Sequence, residues 1–413
     1  MADKKRNYED KVEELLEFFP VVIILGSRQC GKTTLAKKLR PDWRYYDLER
    51  GRDFNLISED TDFFFKENPD SVIIDEAQRF PKLFQELRSV IDAHRGQKNR
   101  FILTGSSSLE LTKNVSETLA GRVALVELGT FKLNEVFESD LPEFYQIFKH
   151  KLTRETIGVL KNIKSSATHN QVMEIFLRGG YPEPVLANNS RFFQAWMENY
   201  YDTYVQRDIR SLFPRLDLPK YQRFVSMLSS LNGTIINRSQ VARSLDVSEK
   251  SIRDYLQIAV GSYIWRSIRS YEKSISKSIV KMAKGHYRDS GLSNFIQGIR
   301  NREQLIRSPT VGSGFEAFIT EEIIKGIQVL NIPKVSYYYF RTRNGAEIDL
   351  ILEGDFGVLP IEIKLGATIK KSQLNTLKAF IERNNLTFGI LINNADHIEM
   401  VSDNIIQIPA NFI

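Results

Sequence analysis

Cysteine is all but missing from this sequence. Cys30 is the only one in 413 residues, so no disulfide can close within the chain and no cysteine-rich zinc site can be assembled. Histidine is nearly as scarce, at five residues, and none falls at metal-ligand spacing. Nor is there a long hydrophobic run. The longest, from Phe18 to Leu25, is interrupted by Pro20 and is far short of the roughly 20 residues that cross a bilayer. With 13 Pro and 23 Gly, no low-complexity tract and no internal repeat, the disordered and fibrous classes fall away. The first residues, MADKKRNYED, are charged and are followed by no signal-type apolar core. These absences set the expectation of a reducing, cytoplasmic setting with no membrane partner.

What is present is a globular composition, 42% hydrophobic and 26% charged, in a chain long enough for several domains. The net charge of +6 is unevenly spread: residues 218–300 hold 14 Lys/Arg against 5 Asp/Glu, a local +9 that leaves −3 for the rest. A local basic excess is a candidate nucleic-acid face.

From an amphipathic stretch at Tyr8 to Phe19 onward, apolar strand-like runs (PVVIIL, RYYDLE, SVIID, RFILTG, RVALVEL) alternate with helical patterns. That alternation predicts a parallel α/β sheet over residues 1–131. Residues 132–217 turn mainly helical and read as a lid or connector. Pro214 and Pro219 mark the next boundary, and residues 218–304 are helical, basic and serine-rich. A second, smaller α/β unit is expected over 305–413.

Gly26-Ser27-Arg28-Gln29-Cys30-Gly31-Lys32-Thr33 matches G-x-x-x-x-G-K-[ST], after a strand-like run and before a helical one. The glycines let backbone N–H groups curl around phosphate oxygens at a helix N-terminus, Lys32 neutralises the β- and γ-phosphates, and the Thr33 hydroxyl suits Mg²⁺. Thr34 completes the nucleotide-binding set, with Cys30 a spacer in a variable position. Val72-Ile73-Ile74-Asp75-Glu76 reads as a buried strand ending in two acids, Asp75 for Mg²⁺ and Glu76 to polarise the attacking water. Phe101-Ile102-Leu103-Thr104-Gly105-Ser106 is another strand ending in hydroxyls. A strand between those of the phosphate loop and Asp75 would bring Thr104 and Ser106 near the γ-phosphate; ordinary turn and cap hydroxyls are the alternative. Arg122 is a candidate arginine finger for a neighbouring subunit, or else an ion-pair residue.

The phosphate loop, IIDEAQ, ILTGSS and LAGR, with the later RGGYPEP and YVQRDI, resemble the AAA+ ATPases that are followed by a domain of unknown function. The resemblance covers nearly the whole chain. It implies an ASCE-type nucleotide domain, the roles above for Asp75 and Glu76, and RGGYP (Arg178 to Pro182) in the lid; Gly179-Gly180 as a helix stop is the plainer reading.

In the basic middle, Ile235 to Ser248 followed by EKSIRDYL reads as helix, turn, helix, with Ser248 as N-cap. Ile264 to Ile268 and the basic residues after it suit a wing. Lys250 and Arg253 are the candidate DNA-binding residues, while Glu249 and Asp254 on the same helix argue against base reading. A winged helix that binds protein remains the alternative.

Near the C-terminus, Asp349 lies in AEIDLIL, and VLPIEIKL puts Glu362 and Lys364 two residues apart on one strand face. Two carboxylates can hold Mg²⁺ or Mn²⁺ against a scissile phosphate while the lysine orients the attacking water. Glu316, on the preceding helix, would complete the set. The pattern D-x₁₂-E-x-K with an upstream helical glutamate resembles the PD-(D/E)xK nuclease fold, and a charged hairpin face or an inactive nuclease fold fits it as well. The expected whole is a homo-oligomeric AAA+-like ATPase using ATP and Mg²⁺ and acting on duplex or branched DNA, with or without cleavage. The alternative is a nucleotide-dependent DNA- or protein-binding switch with an inactive nuclease fold.

Overall fold

Val21-Val22-Ile23-Ile24-Leu25 is a β-branched run, and in the computed structural model it forms strand β1 with every residue buried. The structure describes residues 4–106, 119–187, 189–204, 209–210, 213–272, 282–342 and 344–413. They divide into two compact units, residues 2–131 with 258–264, and residues 132–257 with 265–413.

In the first unit, β1 is joined by β2 (Arg44–Asp47), β3 (Val72–Asp75), β4 (Phe101–Gly105) and β5 (Val123–Glu127) in the order β2-β3-β4-β1-β5. Every pairing is parallel. Parallel strands are covered on both faces, which is why β1, β3 and β4 read as unbroken apolar runs. Val21, Ile23, Ile74, Leu103, Phe84 and Leu87 share one core there. Each such side chain, fully removed from water, contributes about 1.5–3 kcal/mol. The chain leaves β1 for β2 on one side while β5 closes the other, so the end of β1 lies where open α/β sheets bind ligands.

The second unit carries a nine-stranded mixed sheet. Its strands are β6 (Thr234–Ile235), β7 (Trp265–Ser270), β8 (Lys284–Tyr287), β9 (Ser336–Arg341), β10 (Glu347–Gly354), β11 (Gly357–Ile363), β12 (Gly389–Asn393), β13 (Glu399–Ser402) and β14 (Ile405–Pro409). Their order is β13-β14-β12-β11-β10-β9-β7-β8-β6. The parallel pairing of Arg269 and Ser270 with Tyr338 and Tyr339 joins β7 to β9. One sheet therefore runs through the boundary drawn from sequence at 304/305, and the three regions after residue 131, apart from residues 258–264, share one unit. Helix Val311–Gln328 is buried from Gly314 to Ile327 apart from Glu316, the mark of an element with neighbours on nearly every side.

The segment read as helix, turn, helix consists of Arg238–Leu245, capped by Asn237, and Glu249–Gly261, in whose first turn the Ser251 N–H donates to the Ser248 hydroxyl oxygen. Antiparallel β7 and β8 follow, and β6, which precedes both helices, pairs antiparallel with the other edge of β8. Gly179 ends helix His169–Arg178 at φ +70. A Cβ there would collide with the Asp289 carboxylate, which accepts the Gly180 N–H at 2.8 Å. The paired glycines thus serve a close approach to helix Ser290–Ile296 inside this unit. Arg207, in the YVQRDI segment of the family resemblance, lies outside the described residues.

Candidate functional site

The turn after β1 depends on two glycines. A Cβ on Gly26 would strike the Leu128 carbonyl oxygen, and Gly31 holds φ +97 as it opens helix Lys32–Leu39. Gln29 takes φ 64 between them. Cys30 is fully buried under the loop, its Sγ 3.5 Å from the Leu128 carbonyl oxygen, so it fills space rather than facing a ligand. Arg6 braces the loop from beneath by donating to the carbonyls of Cys30 and Gly129, each at 2.9 Å. No motif in the sequence pointed to Arg6.

Lys32 is buried, and its ammonium donates across the loop to the carbonyls of Gly26 at 3.2 Å and Ser27 at 2.9 Å. Asp75, at the end of β3, is the centre of the site. Its Oδ2 accepts the hydroxyls of Thr33 and Tyr45, both at 2.8 Å, and its Oδ1 accepts the hydroxyl of Thr104. β4 lies between β1 and β3, which is what brings Thr104 across. The set fits Mg²⁺: a buried carboxylate beside a loop hydroxyl at a helix N-terminus, where the cation neutralises phosphate charge when bound.

Glu76 follows in a left-handed bend, φ 53, that turns it out of the strand. Its N–H donates to the Thr104 hydroxyl at 3.3 Å, and its carboxylate accepts the Gln78 amide and, at 2.9 Å, the Ser106 hydroxyl. Arg28 reaches Glu49 at 3.0 Å, and Thr34 is exposed on the first helical turn. Arg122 forms a two-point pair with Asp92 of its own unit, at 2.8 and 2.9 Å. Sequence reasoning also missed Tyr45, which belongs to no recognised spacing, and gave no role to Gln78, the last residue of IIDEAQ.

The second unit brings Glu316, Asp349, Glu362 and Lys364 together. Asp349 and Leu350 of β10 oppose the single Tyr339 of β9, a bulge that re-aims Asp349. The register Leu350↔Ile361 then puts Asp349 opposite Glu362. Lys364 Nζ lies 2.7 Å from Glu362 Oε1, 3.1 Å from Asp349 Oδ2 and 3.4 Å from Glu316 Oε1. Lys284 of β8, absent from the sequence expectation, enters the cluster 3.0 Å from Asp349 and 3.1 Å from Glu347. Burial would raise the Asp349 carboxyl, but Lys284, Lys364 and the Ile363 N–H outweigh it and hold it below its ordinary value. Burial first, and then the Asp349 charge, push Glu316 and Glu362 up.

Two ammonium groups stand among the carboxylates, and among the described residues no group of three or more His, Cys, Asp or Glu is arranged to hold a metal ion. In this arrangement the positive charge between the carboxylates is supplied by Lys284 and Lys364.

Comparison with known proteins matches three segments of the chain. Residues 19–137 match the model of an AAA domain, residues 169–303 a domain of unknown function (DUF8612), and residues 311–413 another (DUF4143). The segment that matches the AAA domain includes the phosphate-loop, Asp75 and Thr104 strands. The uncharacterized proteins Rv2008c of Mycobacterium tuberculosis and Mb2031c of Mycobacterium bovis are each 29% identical over 416 residues, covering 100% of this chain and 85% of their own. Among solved structures, the Walker-type ATPase PABY2304 of Pyrococcus abyssi aligns with TM-score 0.41 at 16% identity, over 71% of this chain and 95% of its own. The ORC1 protein of Aeropyrum pernix, solved in complex with DNA, aligns with TM-score 0.28 at 10% identity, over 70% and 91%. Among the described residues no helix is long and apolar enough to cross a membrane.

Proposed function

We propose that this protein is a Mg²⁺-dependent ATPase that acts on DNA, in the cytoplasm, as a homo-oligomer. The observation that carries the ATPase reading is the arrangement around Asp75: the loop hydroxyl of Thr33 on one oxygen, Thr104 of the neighbouring strand on the other, and Glu76 turned out beside them. In this reading Gly26 to Gly31 wrap the phosphates, Lys32 leaves its two carbonyls for phosphate oxygens, and Thr33 and Asp75 would hold Mg²⁺. Glu76 orients and polarises the attacking water once Gln78 and Ser106 release its carboxylate.

The DNA reading rests on the local charge of residues 218–300 and on a helix, turn, helix and hairpin order that suits a winged helix. Lys250 and Arg253 are exposed on the second helix. Glu249 and Asp254 beside them disfavour base contacts, so phosphate contacts would dominate, with weak sequence preference and strong salt dependence. The test is fluorescence anisotropy on duplex and branched DNA across a salt series. Replacing Lys250 and Arg253 by Gln should weaken binding and reduce the salt slope by about one per lost contact. If both quantities stay unchanged, the DNA face is elsewhere or absent.

A second reading, metal-dependent DNA cleavage, is favoured by the meeting of Glu316, Asp349, Glu362 and Lys364 in one cluster. Glu362 and Asp349 would be the metal ligands and Lys364 the water-orienting group. Cutting with Mg²⁺ or Mn²⁺ that vanishes in Asp349→Ala supports it; no cutting of any DNA leaves the nucleotide-dependent binding switch with an inactive nuclease fold.

A further inference from the structure

Directly opposed like charges on neighbouring strands are unfavourable, and Asp349 faces Glu362 in this way. Buried carboxyl groups persist together where cations are interleaved with them or where some of them hold a proton. Lys364 supplies one, contributed by the same hairpin. The other, Lys284, comes from β8 and is 65 residues earlier in the chain than Asp349. Its side chain is only 7% exposed, and its Nζ is held among oxygens of three different side chains: Asp349 at 3.0 Å, Glu347 at 3.1 Å and Glu316 at 3.8 Å.

An ammonium encircled by carboxylate oxygens from a helix and a strand stands where a hard cation would be expected to stand. A second observation points the same way. Glu362 is 5% exposed, and its Oε2 has no hydrogen-bond partner while its Oε1 is 2.7 Å from Lys364. The cluster therefore retains an unsatisfied buried acceptor even with both lysines in place.

We infer that Lys284 is the resident cation of this cluster, holding the place of a divalent metal, so that the cluster takes up Mg²⁺ or Mn²⁺ only when the Lys284 ammonium is removed or withdrawn. The inference rests on the nuclease-like reading of the cluster. Lys284 contributes a single charge that cannot polarise a scissile phosphate as a divalent ion does, so with Lys284 in place the cluster is not set for metal-dependent cutting.

The test is calorimetric titration of the nucleotide-free, full-length protein with MnCl₂. Wild type, Lys284→Met, Lys284→Gln, Asp349→Asn and the double variant Lys284→Met/Asp349→Asn are compared, with thermal unfolding to verify that each is folded. Wild type and Asp349→Asn should titrate alike. Lys284→Met or Lys284→Gln should gain about one equivalent of Mn²⁺, and adding Asp349→Asn should abolish the gain. Asp349-dependent Mn²⁺ uptake by wild type overturns the inference and leaves the nuclease-like reading standing. No added equivalent in a folded Lys284 variant overturns both. Should neither Lys284 variant fold, the comparison of wild type with Asp349→Asn still decides, since excess uptake by wild type contradicts the inference and equal uptake supports it.

Discussion

Asp75 accepts three hydroxyls at once, and two of them share one oxygen. When Thr33 turns to a cation, Tyr45 remains to keep that oxygen oriented, and the Lys37 ammonium, 3.4 Å above the Tyr45 ring, helps fix the ring. Partners that orient a ligating carboxylate typically tune metal affinity about 10–100-fold. Tyr45→Phe should therefore raise the Mg²⁺ concentration for half-maximal ATP turnover about tenfold, while nucleotide binding without Mg²⁺ stays as in wild type. An unchanged Mg²⁺ midpoint removes Tyr45 from the site. The loop, Asp75 and Glu76 were legible in sequence because their chemistry depends on spacing within a few residues. Tyr45 and Arg6 were not, because each reaches the site through a sheet pairing or a loop crossing that leaves no local pattern.

At the scale of elements, helix Val311–Gln328 ties the second unit together through one buried carboxylate. Glu321 receives Arg266 Nε at 2.6 Å and Nη2 at 2.8 Å, His286 Nε2 lies 3.0 Å away, and Arg288 Nε donates at 3.3 Å. Burial alone would raise this carboxyl, but Arg266 and Arg288 outweigh it and hold it well below the usual carboxylate range. Burial keeps the His286 imidazole low, toward its neutral form. Removing one partner of a buried ion cluster costs about 3–5 kcal/mol, so Glu321→Gln should lower the denaturant midpoint of this unit substantially. The pH dependence has a definite sign. The unfolded carboxyl protonates near pH 4.3, so the stabilisation by Glu321 is complete above that value and is lost as pH falls through the lower folded value. Acid unfolding of wild type should steepen below about pH 4, and Glu321→Gln should flatten that limb. An unaltered acid limb in the variant would show that Glu321 is not the group concerned. None of this was visible in the sequence pattern, since Glu321 sits in an apolar helix whose partners come from β7, β8 and the residue after it.

At the scale of the whole molecule, composition located the basic segment and the α/β character at both ends, but not how the later regions combine. β7 and β8 belong by sequence to the basic middle, yet they extend the C-terminal sheet, and that pairing delivers Lys284 to Asp349. Long-range strand pairing of this kind is set by tertiary packing and not by local periodicity. Assembly is the other whole-molecule question. Arg122 is held by Asp92 in the single chain, so service to a neighbouring subunit requires it to exchange that partner for a phosphate. Mixing Lys32→Ala with Arg122→Ala protein should then restore part of the lost ATP turnover through hybrid interfaces; full activity of Arg122→Ala alone would end the finger assignment. The central claim, an ATPase centred on Lys32, Asp75 and Glu76, is tested most directly by one paired measurement of ATP binding and Mg²⁺-dependent turnover on wild type, Lys32→Ala and Glu76→Gln. The account predicts that Lys32→Ala loses binding, and that Glu76→Gln binds ATP like wild type but turns it over about a hundredfold or more slowly. Equal turnover by wild type and Glu76→Gln, or undiminished ATP binding by Lys32→Ala, would contradict it.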